Sequence, residues 1–118
     1  MARFIVLGRG SAMSPAMSAE EMQQVIAKYR AWTETLREQG KLVAGEKLRS
    51  GEGRTLRKRG NELAVTDGPF AESKEVLGGF WLIEAASYDE AVALLRDSPH
   101  LAFGSFEVRQ IEDLPPRR

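Results

Sequence analysis

Asp67-Gly68-Pro69-Phe70-Ala71-Glu72-Ser73-Lys74-Glu75-Val76-Leu77-Gly78-Gly79 runs directly into Phe80-Trp81-Leu82-Ile83, the most apolar run of the chain. The second segment is hydrophobic without alternation, which predicts a central strand covered on both faces. The first holds four ionisable side chains among three glycines and a proline. Gly and Pro restrict what the backbone does there, so it reads as a built loop feeding the central strand. Gly78 and Gly79 stand where the strand is entered, a place for a bulge.

Working outward, Phe4-Ile5-Val6-Leu7 is a short β-rich run closed by Gly8, a second buried strand. Gly8-Arg9-Gly10-Ser11 after it lacks the Gly-Lys-Ser/Thr ending of a phosphate loop and reads as a plain connection. Ser18-Ala19-Glu20-Glu21 is a capping box. Met22, Val25, Ile26, Tyr29, Trp32 and Leu36 follow at helical spacing, and Gly40 supplies a left-handed stop. Tyr29 and Trp32 fall on the apolar face, where core packing is the expected role and pocket lining the alternative. Leu42-Val43-Ala44 reads as a strand. Thr55–Arg59 and Glu62–Thr66 read as a hairpin about Gly60-Asn61. Ser87-Tyr88-Asp89-Glu90 opens a second helix carrying Tyr88, Ala91, Val92 and Leu95, which ends before Pro99. Ser105–Gln110 alternates, with Phe106 and Val108 inward. Leu114 to Arg118 reads as a frayed tail.

The order is strand, helix, strand, hairpin, strand, helix, strand. It predicts an α+β, ferredoxin-like β-α-β-β-α-β domain with an inserted hairpin, one domain over residues 1–118. With 42% hydrophobic and 29% charged residues, the 118-residue chain has the composition of a soluble globular protein. Lys+Arg and Asp+Glu both count 17. No global charge steers it to nucleic acid or to an anionic membrane. The basic cluster Arg54, Arg57, Lys58 and Arg59 has no aromatics interleaved and reads as a solvated face, so direct nucleic-acid binding is not expected. The N-terminal apolar run is too short for a signal peptide or a spanning helix, and the expected location is cytoplasmic. The chain has no cysteine and one histidine, which excludes thiolate chemistry and a multi-His metal site within one chain. An all-carboxylate site for a hard cation stays open, but no metal ligands are assigned and no cofactor is expected.

The Asp67 to Gly79 segment, with Gly45-Glu46 and Gly104-Ser105-Phe106-Glu107-Val108-Arg109, resembles the YCII-related family in its Asp-Gly-Pro-Phe (DGPF) branch, over nearly the whole chain. The resemblance implies a ferredoxin-like fold that pairs its sheets into a dimeric α+β barrel, hence a homodimer with a cleft between helices and sheet. Some relatives in the wider family carry out acid–base chemistry on small aromatic compounds, a dehydrochlorinase among them, with an early His paired to an Asp. Here the sole histidine, His100, comes late, and that pair does not transfer by position. Branch members are also associated with alternative sigma factors, which implies a regulatory role as the alternative.

The candidate residues follow from the loop and from the lone histidine. Asp67 either closes the turn through backbone N–H groups or serves as a general base. Glu72, Lys74 and Glu75 either form exposed ion pairs or bind a ligand, with Lys74 holding an anionic group. His100 either caps carbonyls or titrates near neutral pH as the catalytic base. The expected function is binding of a small molecule of unknown identity at the DGPF loop; if the chain is an enzyme, lyase or isomerase chemistry that needs no cofactor fits the residues. Asp67 or His100 would act as base, and Lys74 would steady developing negative charge. The alternative is a non-catalytic interaction module linked to a sigma factor.

Overall fold

The computed structural model describes residues 1–10, 14, 16–68 and 76–115. The strands are β1 (Ala2–Arg9), β2 (Leu42–Lys47), β3 (Arg54–Arg59), β4 (Glu62–Asp67), β5 (Leu77–Ala85) and β6 (Ser105–Gln110); the helices are α1 (Ala19–Glu38) and α2 (Tyr88–Leu95). A 3-10 turn spans Pro99–Ala102. Four strands form an antiparallel sheet in the order β2-β5-β1-β6, and β3 pairs with β4 in a separate two-stranded ribbon. Set the ribbon aside and the β-α-β-β-α-β order expected from the sequence remains.

Local signals fix the element ends. Ser18 Oγ accepts from the Glu21 amide at 3.1 Å while Glu21 Oε1 accepts from the Ser18 amide at 3.2 Å, the full capping box. At the other end the Lys41 amide donates to the Leu36 carbonyl and the Gly40 amide to that of Arg37, each at 3.0 Å. That crossed pair is a Schellman motif, and it needs the φ of +70° that Gly40 adopts. Ser87 caps α2 through the Glu90 amide. The Glu90 carboxylate turns away to Lys41 Nζ at 3.0 Å, tying α2 to the start of β2.

Alternation along β1 and β5 sends Phe4, Val6, Ile83 and Ala85 to one face, where Trp32 and Leu36 of α1 and Ala91 and Leu95 of α2 close the core over them. Fully burying side chains of this size stabilises by about 1.5–3 kcal/mol each, which makes this cluster the main source of stability. The opposite face carries Ile5, Leu7, Phe80 and Leu82, only partly buried. The expectation of a strand covered on both faces therefore holds for one face of β5 within a single chain. Between Gly8 and Arg9 the β1–β5 register skips Gly78, the bulge anticipated at the strand entry.

Candidate functional site

Only the C-terminal half of α1 seats on the core. Trp32 and Leu36 are buried, whereas Val25, Ile26 and Tyr29 are half-buried because the helix stands off the sheet there. The gap is a cleft of about 670 Å³. Val25, Ile26, Tyr29, Arg30 and Thr33 of α1 form one wall; Gly45 and Lys47 of β2 and Trp81 of β5 form the other, with His100 among the lining residues. Its size and its apolar wall with a few polar groups suit a small organic ligand.

His100 is buried, at 4% exposure, and every polar atom of its ring is engaged. Nε2 lies 2.8 Å from the Arg9 carbonyl oxygen and 3.1 Å from that of Ser105. Both oxygens can only accept, so Nε2 carries the hydrogen. In the neutral ring Nδ1 is then the acceptor, and the Tyr29 hydroxyl, 3.0 Å away, donates to it. The ring is held in place by Phe106, stacked on it with centroids 4.8 Å apart, and by Trp81 at 6.1 Å. Gly104 makes the carbonyl contact possible: a Cβ there would run into the Arg9 carbonyl oxygen itself.

Burial raises the pKa of Tyr29, so the phenol keeps its proton at neutral pH and stays a donor. The pair can relay a proton. A ligand proton passes to the Tyr29 oxygen as the Tyr29 hydrogen passes to Nδ1, leaving an anionic ligand, a neutral tyrosine and an imidazolium. The reverse transfer returns the proton.

Among the described residues, His100 is thus the one candidate catalytic or binding residue from the sequence found in the cleft. Asp67 ends β4 in the separate ribbon, is 90% exposed, and pairs with Arg54 Nε at 3.3 Å. It is not among the cleft-lining residues. Glu72, Lys74 and Glu75, and with them most of the DGPF loop, lie outside the described residues. For Tyr29 core packing is the expected role and pocket lining the alternative, and it is the alternative that the structure shows. A hydroxyl on the apolar face of a helix is the signal that pointed to a polar partner, since a buried Tyr O–H finds one. Nothing in sequence joins it to a residue 71 positions away. Among the described residues no group of three or more His, Asp or Glu is placed to hold a metal ion. No helix among them is long and apolar enough to cross a membrane.

Residues 4–115 match the YCII-related domain. The chain belongs to the YCII-related family. An uncharacterized protein of Rhizobium meliloti (strain 1021) is 40% identical over 102 residues, covering 84% of this chain and 82% of that protein. Among solved structures, the chain resembles 5-chloro-2-hydroxyhydroquinone dehydrochlorinase (TftG) from Burkholderia phenoliruptrix AC1100, in complex with 2,5-dihydroxybenzoquinone. The TM-score is 0.51 at 20% identity, with 93% of each chain covered. At that identity the likeness establishes a shared α+β fold.

Proposed function

We propose that this YCII-related protein, which we place in the DGPF branch on Asp67 to Phe70, binds a small planar compound in the α1–sheet cleft and moves a proton on it. The carrying observation is the Tyr29–His100 hydrogen bond lining that cleft, with the tautomer set by two backbone carbonyls. A base that takes and returns a proton serves an isomerase, and one that takes a proton as a leaving group departs serves a lyase. The dehydrochlorinase of like fold acts on a compound of this class, which supports the reading. Tyr29 and His100 are the acid–base residues in this account. Glu72, Lys74 and Glu75 remain proposed ligand-side residues of the DGPF loop, whereas Asp67, paired with Arg54 in the ribbon, has no part in this account.

We also propose a homodimer through the sheet face bearing Ile5, Leu7, Phe80 and Leu82, in the manner of a dimeric α+β barrel. Apolar side chains half-covered on a four-stranded sheet are what such pairing would bury.

The test is solvent exchange of the ring hydrogens of 2,5-dihydroxybenzoquinone in D2O, followed by proton NMR. The parent protein should accelerate exchange over buffer, and Tyr29→Phe and His100→Gln should each reduce it by about 10²-fold or more. Exchange at the buffer rate, or a fully active Tyr29→Phe protein, sinks the relay. If in addition the protein co-purifies with a sigma factor, the non-catalytic interaction module takes its place.

A further inference from the structure

The charges around the cleft do not balance. Glu34 of α1 is taken up by Arg37, whose Nη1 lies 2.7 Å from its carboxylate. Glu46 also borders the cleft, but its register partner is Phe80, so its side chain stands on the opposite face of the sheet. Arg30 lines the cleft from α1 without a carboxylate partner among the described residues. Lys47, opposite Gly79 on the cleft side of β2, spends one N–H on the Leu48 carbonyl at 3.0 Å and likewise faces no carboxylate among them. Among the described residues, the two walls therefore each present one cation without a carboxylate partner, in a chain whose formal net charge is zero.

From this we infer that the cleft's ligand is anionic: a planar aromatic or enolic carboxylate, its ring against Trp81 and its carboxylate between Arg30 and Lys47. The inference rests on the acid–base reading of the same cleft and names its substrate class. Geometry orders the parts. His100 is buried and Tyr29 half-buried, whereas Arg30 and Lys47 are exposed. A ligand reaching both carries its acidic hydrogen and its charge on different ring positions. The cations also steady the extra negative charge that forms when the proton leaves.

Two probes that differ only in the carboxylate separate this inference from the reading beneath it. Isothermal titration calorimetry with 2,5-dihydroxybenzoate and with 1,4-dihydroxybenzene gives a preference ratio. Two exposed charge contacts, each worth under about 1 kcal/mol, predict roughly tenfold tighter binding of the carboxylate. In the Arg30→Gln/Lys47→Gln protein the ratio should fall toward one, and in the parent it should shrink with added salt. A parent ratio near one, or a ratio the double substitution leaves intact, overturns the anionic-ligand inference while the cleft reading stands. Failure of both probes to bind the parent overturns the cleft reading and the inference with it.

Discussion

Gly104→Ala should damage the fold and the candidate site together, because one methyl group meets both. Gly104 has no positive φ, so its backbone would accept alanine. The obstacle is steric: the added Cβ runs into the Arg9 carbonyl oxygen, with the Arg9 carbonyl carbon and His100 Nε2 each at 3.0 Å. Two of these three atoms are backbone and cannot rotate away. Relief requires β1 and β6 to part at Arg9–Ser105, the last pair of their register. It also draws the Arg9 carbonyl away from Nε2. Losing two or three hydrogen bonds at about 1 kcal/mol each gives a cost of about 2–3 kcal/mol. That agrees with the usual penalty for overpacking and is a large share of the typical 5–15 kcal/mol. Urea unfolding at one fixed protein concentration reads the cost, and long-range nitrogen NMR reads the His100 tautomer. The expected variant is 2–3 kcal/mol less stable, by the same reckoning, with His100 no longer wholly in the Nε2–H form. Gly40→Ala is the control: its added Cβ touches nothing within 4 Å, but the residue sits at φ +70°. It should cost about 1–2 kcal/mol from conformation alone and leave the tautomer intact. A Gly104→Ala protein within about 0.5 kcal/mol of its parent, a surface-like change, and with His100 unaltered, would refute the steric account.

Two further outcomes follow from the fold. The hydrogen bond from Lys41 is the main cause holding Glu90 below its ordinary pKa. A depressed carboxylate contributes stability above its unfolded pKa, near 4.3, and loses it as pH falls through the folded value. Glu90→Gln should therefore be the less stable protein at pH 7, with the gap closing in acid. A gap that persists unchanged at pH 3 contradicts the pairing. On the open sheet face, Leu82→Glu would place a charge where a dimer buries apolar surface, at a cost of several kcal/mol. Gel filtration should show a dimer become a monomer, and an unchanged dimer would move the interface elsewhere.

Much of the fold was legible because its signals are local. Ser18 with Glu21, and Gly40 after the last turn, mark the ends of α1 within a few residues of the bonds they form. The Gly60-Asn61 turn sets the β3–β4 register in the same way. The site was less legible because its parts come from distant positions. The acid and base groups of Asp67 to Glu75 suggested one site, yet Asp67 lies in the ribbon against Arg54. His100 stood out only as the sole histidine. Its acceptor role toward Tyr29 depends on two backbone carbonyls, Arg9 and Ser105, whose side chains say nothing about it. Charge balance is hidden for the same reason: strand register decides that Lys47 faces the cleft and Glu46 does not.

The stand-off of α1 is itself an argument that the cleft is used. Val25 and Ile26 are on the apolar face of the helix yet stay half-exposed. Closing the helix onto the sheet would bury more of each, and full burial of such a side chain is worth about 1.5–3 kcal/mol. The chain forgoes part of that. Beside the cleft, Trp81 meets Trp32 edge-on at 5.5 Å and Phe106 at 5.3 Å, and Phe106 stacks on His100. A fold selected for stability alone would close the cleft and bring Val25 and Ile26 down onto the sheet. Keeping it open preserves a path from solvent to the Tyr29 hydroxyl, and a proton relay cannot work without one.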